Sequence, residues 1–116
     1  MSLTLYHNPR CSKSRQTLKL LEEQGINPTI IEYLNNPPTQ DKLKEILSLL
    51  QMSPRQLMRK KEDEYKELGL ANSQLSDQDL IDYMVKNPIL IERPIVVMDG
   101  KAVLGRPPEQ ILNILD

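Results

Sequence analysis

Cys11 is the chain's only cysteine, and it sits among cations: Tyr6-His7-Asn8-Pro9-Arg10 precede it and Ser12-Lys13-Ser14-Arg15 follow. A short strand should hand over to a helix at this point. The first N–H groups of a helix lack intrahelical partners, and the aligned peptide dipoles put partial positive charge there. Both features favour a thiolate over a thiol and draw an oxyanion to the same place. An ordinary cysteine, with a pKa of about 8.5, is only ~3% thiolate at pH 7. Helix N-termini and cationic neighbours bring such values down to about 3.5–7.5, where the thiolate dominates. A structural cysteine would be expected among apolar neighbours, whereas these flanks are polar and basic.

Cys11-Ser12-Lys13-Ser14 has the form C-x-x-S, so Ser14 stands where dithiol oxidoreductases carry a second cysteine. A serine cannot resolve a mixed disulfide, and redox chemistry at Cys11 would need its second sulfur from another molecule. A cysteine phosphatase is disfavoured by spacing. Its arginine follows the nucleophile after five intervening residues, while Arg15 follows Cys11 after three. His7, the only histidine, could hydrogen-bond the sulfur or tune its ionisation, or equally serve to close the strand–turn junction.

Arg59 in Leu57-Met58-Arg59-Lys60, Arg93 in Glu92-Arg93-Pro94 and Arg106 in Gly105-Arg106-Pro107 stand in distinctive settings. A guanidinium offers planar, bidentate recognition of a tetrahedral oxyanion, which an ammonium cannot copy. Each of the three could also be a solvated surface charge. Arg93 and Arg106 flank an expected hairpin, whose ends should lie near the first strand.

Elements to position these groups can be read along the chain. Leu3–Tyr6 is a strand ended by Asn8-Pro9, and a helix runs from after Cys11 to about Gln24, closed by Gly25. Leu18 and Leu21 share one face of it, with Leu20 beside them. Thr29–Leu34 is β-branched and aromatic, which completes a βαβ unit with parallel strands. Thr39 caps a helix whose Leu43, Ile46, Leu47 and Leu50 follow i, i+3, i+4, i+7 spacing. Ser53-Pro54 opens a short helix, residues 59–64 are charged throughout, and Ser76 with Asp79 forms a capping box for a helix carrying Leu80, Ile81 and Met84. Pro94–Met98 and Lys101–Leu104 form a hairpin about Asp99-Gly100, and a final helix holds Ile111, Leu112 and Leu115. This order predicts an α/β, thioredoxin-like (glutaredoxin-like) mixed four-stranded sheet. It forms a single domain over residues 1–116, with a helical lobe inserted at about 39–87. A proline opening a strand in that fold predicts a cis bond at Arg93-Pro94.

The 116 residues carry 15 Lys and Arg against 16 Asp and Glu. That balance argues against nucleic acid or an anionic membrane as the main partner. One cysteine cannot form an internal disulfide, and one cysteine with one histidine is too small a set for a resident zinc, so no bound metal or cofactor is expected. The N-terminal residues lack signal-peptide character, and no apolar run reaches membrane length. A cytoplasmic, monomeric protein is the expectation. With no Trp or Phe, the core must rest on Leu, Ile, Val and Met.

Together, Tyr6–Arg15, Tyr33–Pro38, Leu57–Lys60, Arg93–Val97 and Arg106-Pro107 closely resemble the arsenate reductase family of the ArsC type, over essentially the whole chain. The resemblance implies a thioredoxin-like fold with an inserted helical region, and reduction of arsenate to arsenite with glutathione and glutaredoxin as donors. It implies Cys11 as the nucleophile that forms a thiol–arsenate adduct, with Arg59, Arg93 and Arg106 holding the oxyanion. His7 matches a residue that influences the thiolate, and Ser14 and Arg15 are further candidate substrate-binding residues. Ser12-Lys13 replaces the Gly-Thr of the best-known members, and the chain stops at Asp116 without their C-terminal extension, as in a short YfgD-like branch. Two alternatives have distinct signatures. A binding regulator similar to the Spx branch would be expected to carry C-x-x-C, and a general monothiol oxidoreductase would act on glutathione mixed disulfides without arsenate.

Overall fold

In a computed structural model, which describes residues 3–115, the chain divides into two compact units. One comprises residues up to Asn36 together with those from Arg93 onward, and the other is Pro37–Glu92.

The first unit is a four-stranded mixed sheet in the order β2-β1-β3-β4. The strands are β1 (Leu3–His7), β2 (Thr29–Glu32), β3 (Ile95–Met98) and β4 (Lys101–Leu104), with α1 (Ser12–Glu23) between β1 and β2. β1 pairs parallel with β2, placing His7 opposite Glu32, and antiparallel with β3, placing Tyr6 opposite Ile95. This is the thioredoxin-like arrangement expected. Leu5, Leu21, Val96 and Ile111 are fully buried in one core cluster, against which Leu18, Leu20 and Val103 pack. Every position of central β1 is buried or half-buried, as befits a strand with neighbours on both sides. The β3–β4 turn has φ +47° at Asp99 and +75° at Gly100, the pair of left-handed residues that a tight hairpin with the proper twist needs.

Two expectations in this unit change. β2 stops at Glu32, and the next residues turn: the N–H groups of Asn35 and Asn36 both donate to the Glu32 carbonyl. Tyr33 is buried in that turn rather than extended in the strand. The last segment opens as a 3₁₀ turn at Pro108–Ile111 before α6 (Leu112–Leu115). Ile111 and Ile114 face the core, and Leu112 stays 38% exposed. The side chain of Leu115 lies outside the described residues.

The second unit is helical: α2 (Gln40–Leu50), α3 (Pro54–Leu57), α4 (Asp63–Glu67), α5 (Asp77–Lys86) and a 3₁₀ turn at Pro88–Leu90. Its signals are local and act as expected. The Thr39 side chain caps α2, and capping boxes close at Ser53 with Gln56 and at Ser76 with Asp79. Each such cap contributes about 1 kcal/mol. Leu43, Ile46, Leu57, Leu80, Met84 and Leu90 form its buried side. An isolated bridge joins Met58 to Ile91, so the residues on either side of Arg59 and Glu92 run together. Part of the charged run 59–64 becomes α4, whose first turn carries Asp63 and Glu64 at the positive end of its dipole.

Candidate active site

The loop from His7 to Ser14 is built around its own backbone. The Cys11 N–H donates to the Asn8 carbonyl at 3.0 Å, and the Arg10 N–H donates to the Asn8 side-chain oxygen at 3.0 Å. The Asn8 N–H donates to Ser14 Oγ at 3.0 Å. Arg15 closes the outside of the turn, its Nη1 donating to the Pro9 carbonyl at 2.9 Å. Cys11 itself occupies the N-cap position of α1, with extended φ and ψ, so its sulfur stands where an aspartate or serine oxygen usually caps a helix.

Cys11 is buried and free. Burial alone would push its thiol pKa up. The Ser14 N–H, the Arg93 charge, the Lys13 N–H and a hydrogen bond from the Arg93 side chain together outweigh that effect and hold the pKa below the ordinary cysteine value. The N–H groups at the start of α1 and one guanidinium therefore favour the thiolate electrostatically, with no side-chain cap hydrogen bond at the sulfur. The same set of donors suits a tetrahedral anion carried on that sulfur.

Arg93 and Arg106 are brought to one end of the hairpin. Arg106 Nη1 donates to the Arg93 carbonyl at 3.3 Å, and the Gly105 N–H donates to the Pro94 carbonyl at 2.9 Å. The Arg93-Pro94 peptide is cis as expected, and Arg106-Pro107 is cis as well. Gly105 is the point of closest approach. A Cβ there would lie 2.7 Å from Thr17 Oγ1 and 2.9 Å from Pro94 Cγ, so only glycine lets the hairpin end rest against α1. The Arg93 Nε is buried and has no hydrogen-bond partner among the described residues. It is a donor left available inside the site.

His7 was expected to hydrogen-bond the sulfur, to tune its ionisation, or to close the strand–turn junction. Its Nδ1 lies 2.6 Å from Ser14 Oγ, seven residues along the chain, and the pair is buried. The turn returns Ser14 beneath β1, so the imidazole meets the hydroxyl rather than the sulfur. Burial pushes the His7 pKa down, Glu32 opposes this and Arg15 adds to it, so the ring is below its usual range and neutral at pH 7. Ser14 thus contributes its N–H toward Cys11 and its hydroxyl toward His7 and Asn8. The role of Glu32 was invisible in the sequence, because only strand register places it opposite His7.

Arg59 is clasped within the helical unit. Its Nη2 pairs with the Glu62 carboxylate, its Nε lies 3.7 Å from the Glu92 carboxylate, and Nη1 donates to the Ile89 carbonyl at 3.3 Å. Its backbone N–H donates to the Leu90 carbonyl at 2.7 Å. Neither Glu62 nor Glu92 was a candidate from sequence. No group of three or more His, Cys, Asp or Glu side chains among the described residues is arranged to hold a metal. No helix there is long and apolar enough to cross a membrane.

Comparison with known proteins bears on this geometry. The family model described as the ArsC family matches residues 6–114. The chain is 58% identical over 112 residues to the uncharacterized protein YfgD of Escherichia coli strain K12, covering 96% of this chain and 94% of that protein. It is 46% identical over 114 residues to an arsenate reductase of Escherichia coli, covering 98% of this chain and 81% of that one. Among solved structures, the arsenate reductase from Vibrio cholerae superposes with a TM-score of 0.96 at 55% identity, covering 98% of both chains.

Proposed function

Because the chain belongs to the ArsC family, we propose that it is an arsenate reductase that uses Cys11 as its single reacting thiolate, with glutathione and glutaredoxin supplying the reducing thiols. The observation that carries this reading is Cys11 at the N-cap of α1, where the helix start and the Arg93 guanidinium hold its thiol pKa below the ordinary value.

Arsenate is drawn to the same donors. Arg93, with its unpartnered Nε, and Arg106 are the arginines of the sheet unit that hold it, and Arg59 is the third expected from the resemblance. The Cys11 thiolate forms a bond to arsenic, and an arsenate oxygen leaves as water after protonation. Charge that develops on the remaining oxygens is met by fixed N–H donors, the arrangement that stabilises such displacements most effectively. Glutathione thiolate then attacks the adduct. Arsenic takes up two electrons and departs as arsenite, while the Cys11 and glutathione sulfurs are left joined as a mixed disulfide. Glutaredoxin removes that disulfide, which the chain cannot do alone because Ser14 replaces a resolving cysteine. His7 and Ser14 support the loop, and Arg15 holds its outer turn. A thiol that must be reduced between turnovers suits a cytoplasmic, monomeric enzyme with no bound cofactor.

The test is arsenate-dependent NADPH oxidation with glutathione, glutaredoxin and glutathione reductase. Turnover is expected in the native chain and lost in Cys11→Ser. A folded protein without turnover, whose Cys11 still alkylates quickly at pH 6, would refute arsenate as substrate and leave the thiolate site in place. Turnover on a glutathione mixed disulfide without arsenate would point instead to a general monothiol oxidoreductase.

A further inference from the structure

The loop that carries Cys11 hangs on one hydroxyl. Ser14 Oγ accepts the Asn8 N–H at 3.0 Å, and Asn8 in turn holds the N–H groups of Cys11 and Arg10 through its two oxygens. Ser14 is fully buried, so the direction of its own O–H is set by protein groups. Its other neighbour is His7 Nδ1 at 2.6 Å.

Hydrogen counting separates the two neutral tautomers of His7. With the proton on Nε2, the Ser14 O–H donates to Nδ1 while Ser14 Oγ accepts from Asn8, and every group is satisfied. With the proton on Nδ1, Ser14 Oγ accepts from two donors and its own hydrogen must find another acceptor in a buried setting. The other side of the ring gives the same preference. Nδ1 is taken by Ser14, and Nε2 is the ring nitrogen left to act on Glu32, which lines a cleft of about 310 Å³ together with His7, Asn8, Arg10 and Asn35. Glu32 is the register partner of His7 on the adjacent parallel strand, so the two side chains leave the same face of the sheet. An Nε2–H attracts that carboxylate, whereas an Nε2 lone pair repels it. The remaining charge that acts on the ring is Arg15 of α1, and on the β3 side the strand offers Ile95 opposite Tyr6 and no ionisable group there.

We infer that Glu32 is a positioning residue: it holds His7 in the Nε2–H tautomer, which directs the Ser14 hydroxyl to Nδ1 and fixes the Asn8–Cys11 loop around the nucleophile. The inference rests on Cys11 being the reacting group, as proposed above. It gives a duty to a carboxylate that caps no helix and makes no hydrogen bond among the described residues.

The chain has a single histidine, so imidazole ¹⁵N spectra of protein labelled at histidine report His7 alone. The native protein above the His7 pKa is expected to show Nε2 in the protonated, pyrrole-like range and Nδ1 in the acceptor range. Glu32→Leu is expected to move the two shifts toward each other as the tautomers mix, and to lower the His7 pKa further. Glu32→Asp should restore both toward native values. Glu32 is exposed, so the leucine variant leaves the core untouched. The same variant is expected to lower kcat in the coupled arsenate assay several-fold with little change in KM, because the nucleophile's loop rather than anion binding is affected. A native Nδ1–H tautomer, or a Glu32→Leu spectrum with unchanged tautomer and pKa, overturns the inference. Absence of arsenate turnover in the native protein would refute the proposed activity instead, and the spectra would still decide the role of Glu32.

Discussion

Arg93 and Arg59 carry the same side chain into opposite surroundings. Arg93, in the sheet unit, acts on a cysteine sulfur and keeps a buried Nε–H without a partner; it forms no ion pair with a carboxylate among the described residues. Arg59, in the helical unit, lies against two carboxylates and a carbonyl, with only 18% of its side chain exposed. Glu62 and Glu92 are similarly sheltered, at 22% and 24%. One guanidinium keeps a buried donor without a hydrogen-bond partner among the described residues. The charge of the other is already more than matched by its own chain. Both were candidate oxyanion ligands on residue type alone, and the difference shows how little residue type decides before the neighbours are known.

The largest expected effect breaks the first half of that contrast. Arg93→Ala should reduce arsenate turnover by roughly 10²–10³, the usual cost of removing one preorganised donor from a developing oxyanion. It should also move the alkylation profile of Cys11 to higher pH, because the positive charge and hydrogen bond that favour the thiolate are gone. Iodoacetamide reaction rates measured against pH separate this from simple loss of fold. An unchanged profile would mean that the helix N–H groups alone hold the thiolate.

The next effect tests the second half. Arg59→Ala removes the cation that two sheltered carboxylates share. A fully buried pair broken in this way costs about 3–5 kcal/mol, and the partial exposure here reduces the expectation to roughly 1–3 kcal/mol of stability. Urea unfolding measures it. Adding Glu62→Gln and Glu92→Gln to Arg59→Ala should recover most of the loss if the charge cluster is its source. If Arg59 serves the anion as well, the single variant also raises KM for arsenate, and the neutralised triple variant does not repair that.

What was legible in the sequence was mostly local. Cys11 at a strand–helix junction could be placed because Asn8-Pro9 ends the strand and the helix pattern begins directly after it. The Ser53-Pro54 helix start, the Ser76 capping box, the Asp99-Gly100 hairpin and the cis bond before Pro94 were equally readable, since each depends on residues close together in the chain. What escaped depends on register or on the return of the chain. Ser14 reaches His7, seven residues away, only because the turn brings the chain back. Glu32 reaches His7 only because β1 and β2 pair in one register. Glu92 reaches Arg59 only because Met58 and Ile91 bridge across the helical unit. Arg106-Pro107 gave no strand-start signal like that of Pro94, and its cis geometry was missed.

A smaller effect sharpens the picture of how Arg93 and Arg106 are kept together. Gly105→Ala places a Cβ against Thr17 and Pro94, neither of which can swing away: Thr17 is β-branched with its hydroxyl donating to the Lys13 carbonyl at 2.9 Å, and Pro94 is a ring. Overpacking of this kind costs about 1–3 kcal/mol. The expected result is reduced stability in urea together with a higher KM for arsenate, since the hairpin end moves off α1 and carries both arginines with it. Reduced stability with an unchanged KM would mean that the arginines adjust independently of their backbone.

The smallest effect concerns His7, whose burial makes the sheet unit sensitive to acid. Its pKa is lower in the folded chain than in the unfolded one, so the unfolded state binds more protons in the window from the ordinary histidine value of 6.5 down to the folded value. Stability tied to this group is therefore complete above pH 6.5 and falls as the pH drops through that window, until the ring is charged in both states. His7→Gln removes this component. The difference in unfolding free energy between pH 8 and pH 5 should be smaller in the variant than in the native chain, whatever its absolute stability. Glu32→Leu should act in the opposite direction, enlarging the acid loss, because Glu32 is the one charge that favours the protonated ring. Opposite signs from two neighbouring variants are hard to obtain from packing changes alone, so the pair tests whether charge at the His7–Glu32 pair governs the acid response of the unit that carries Cys11.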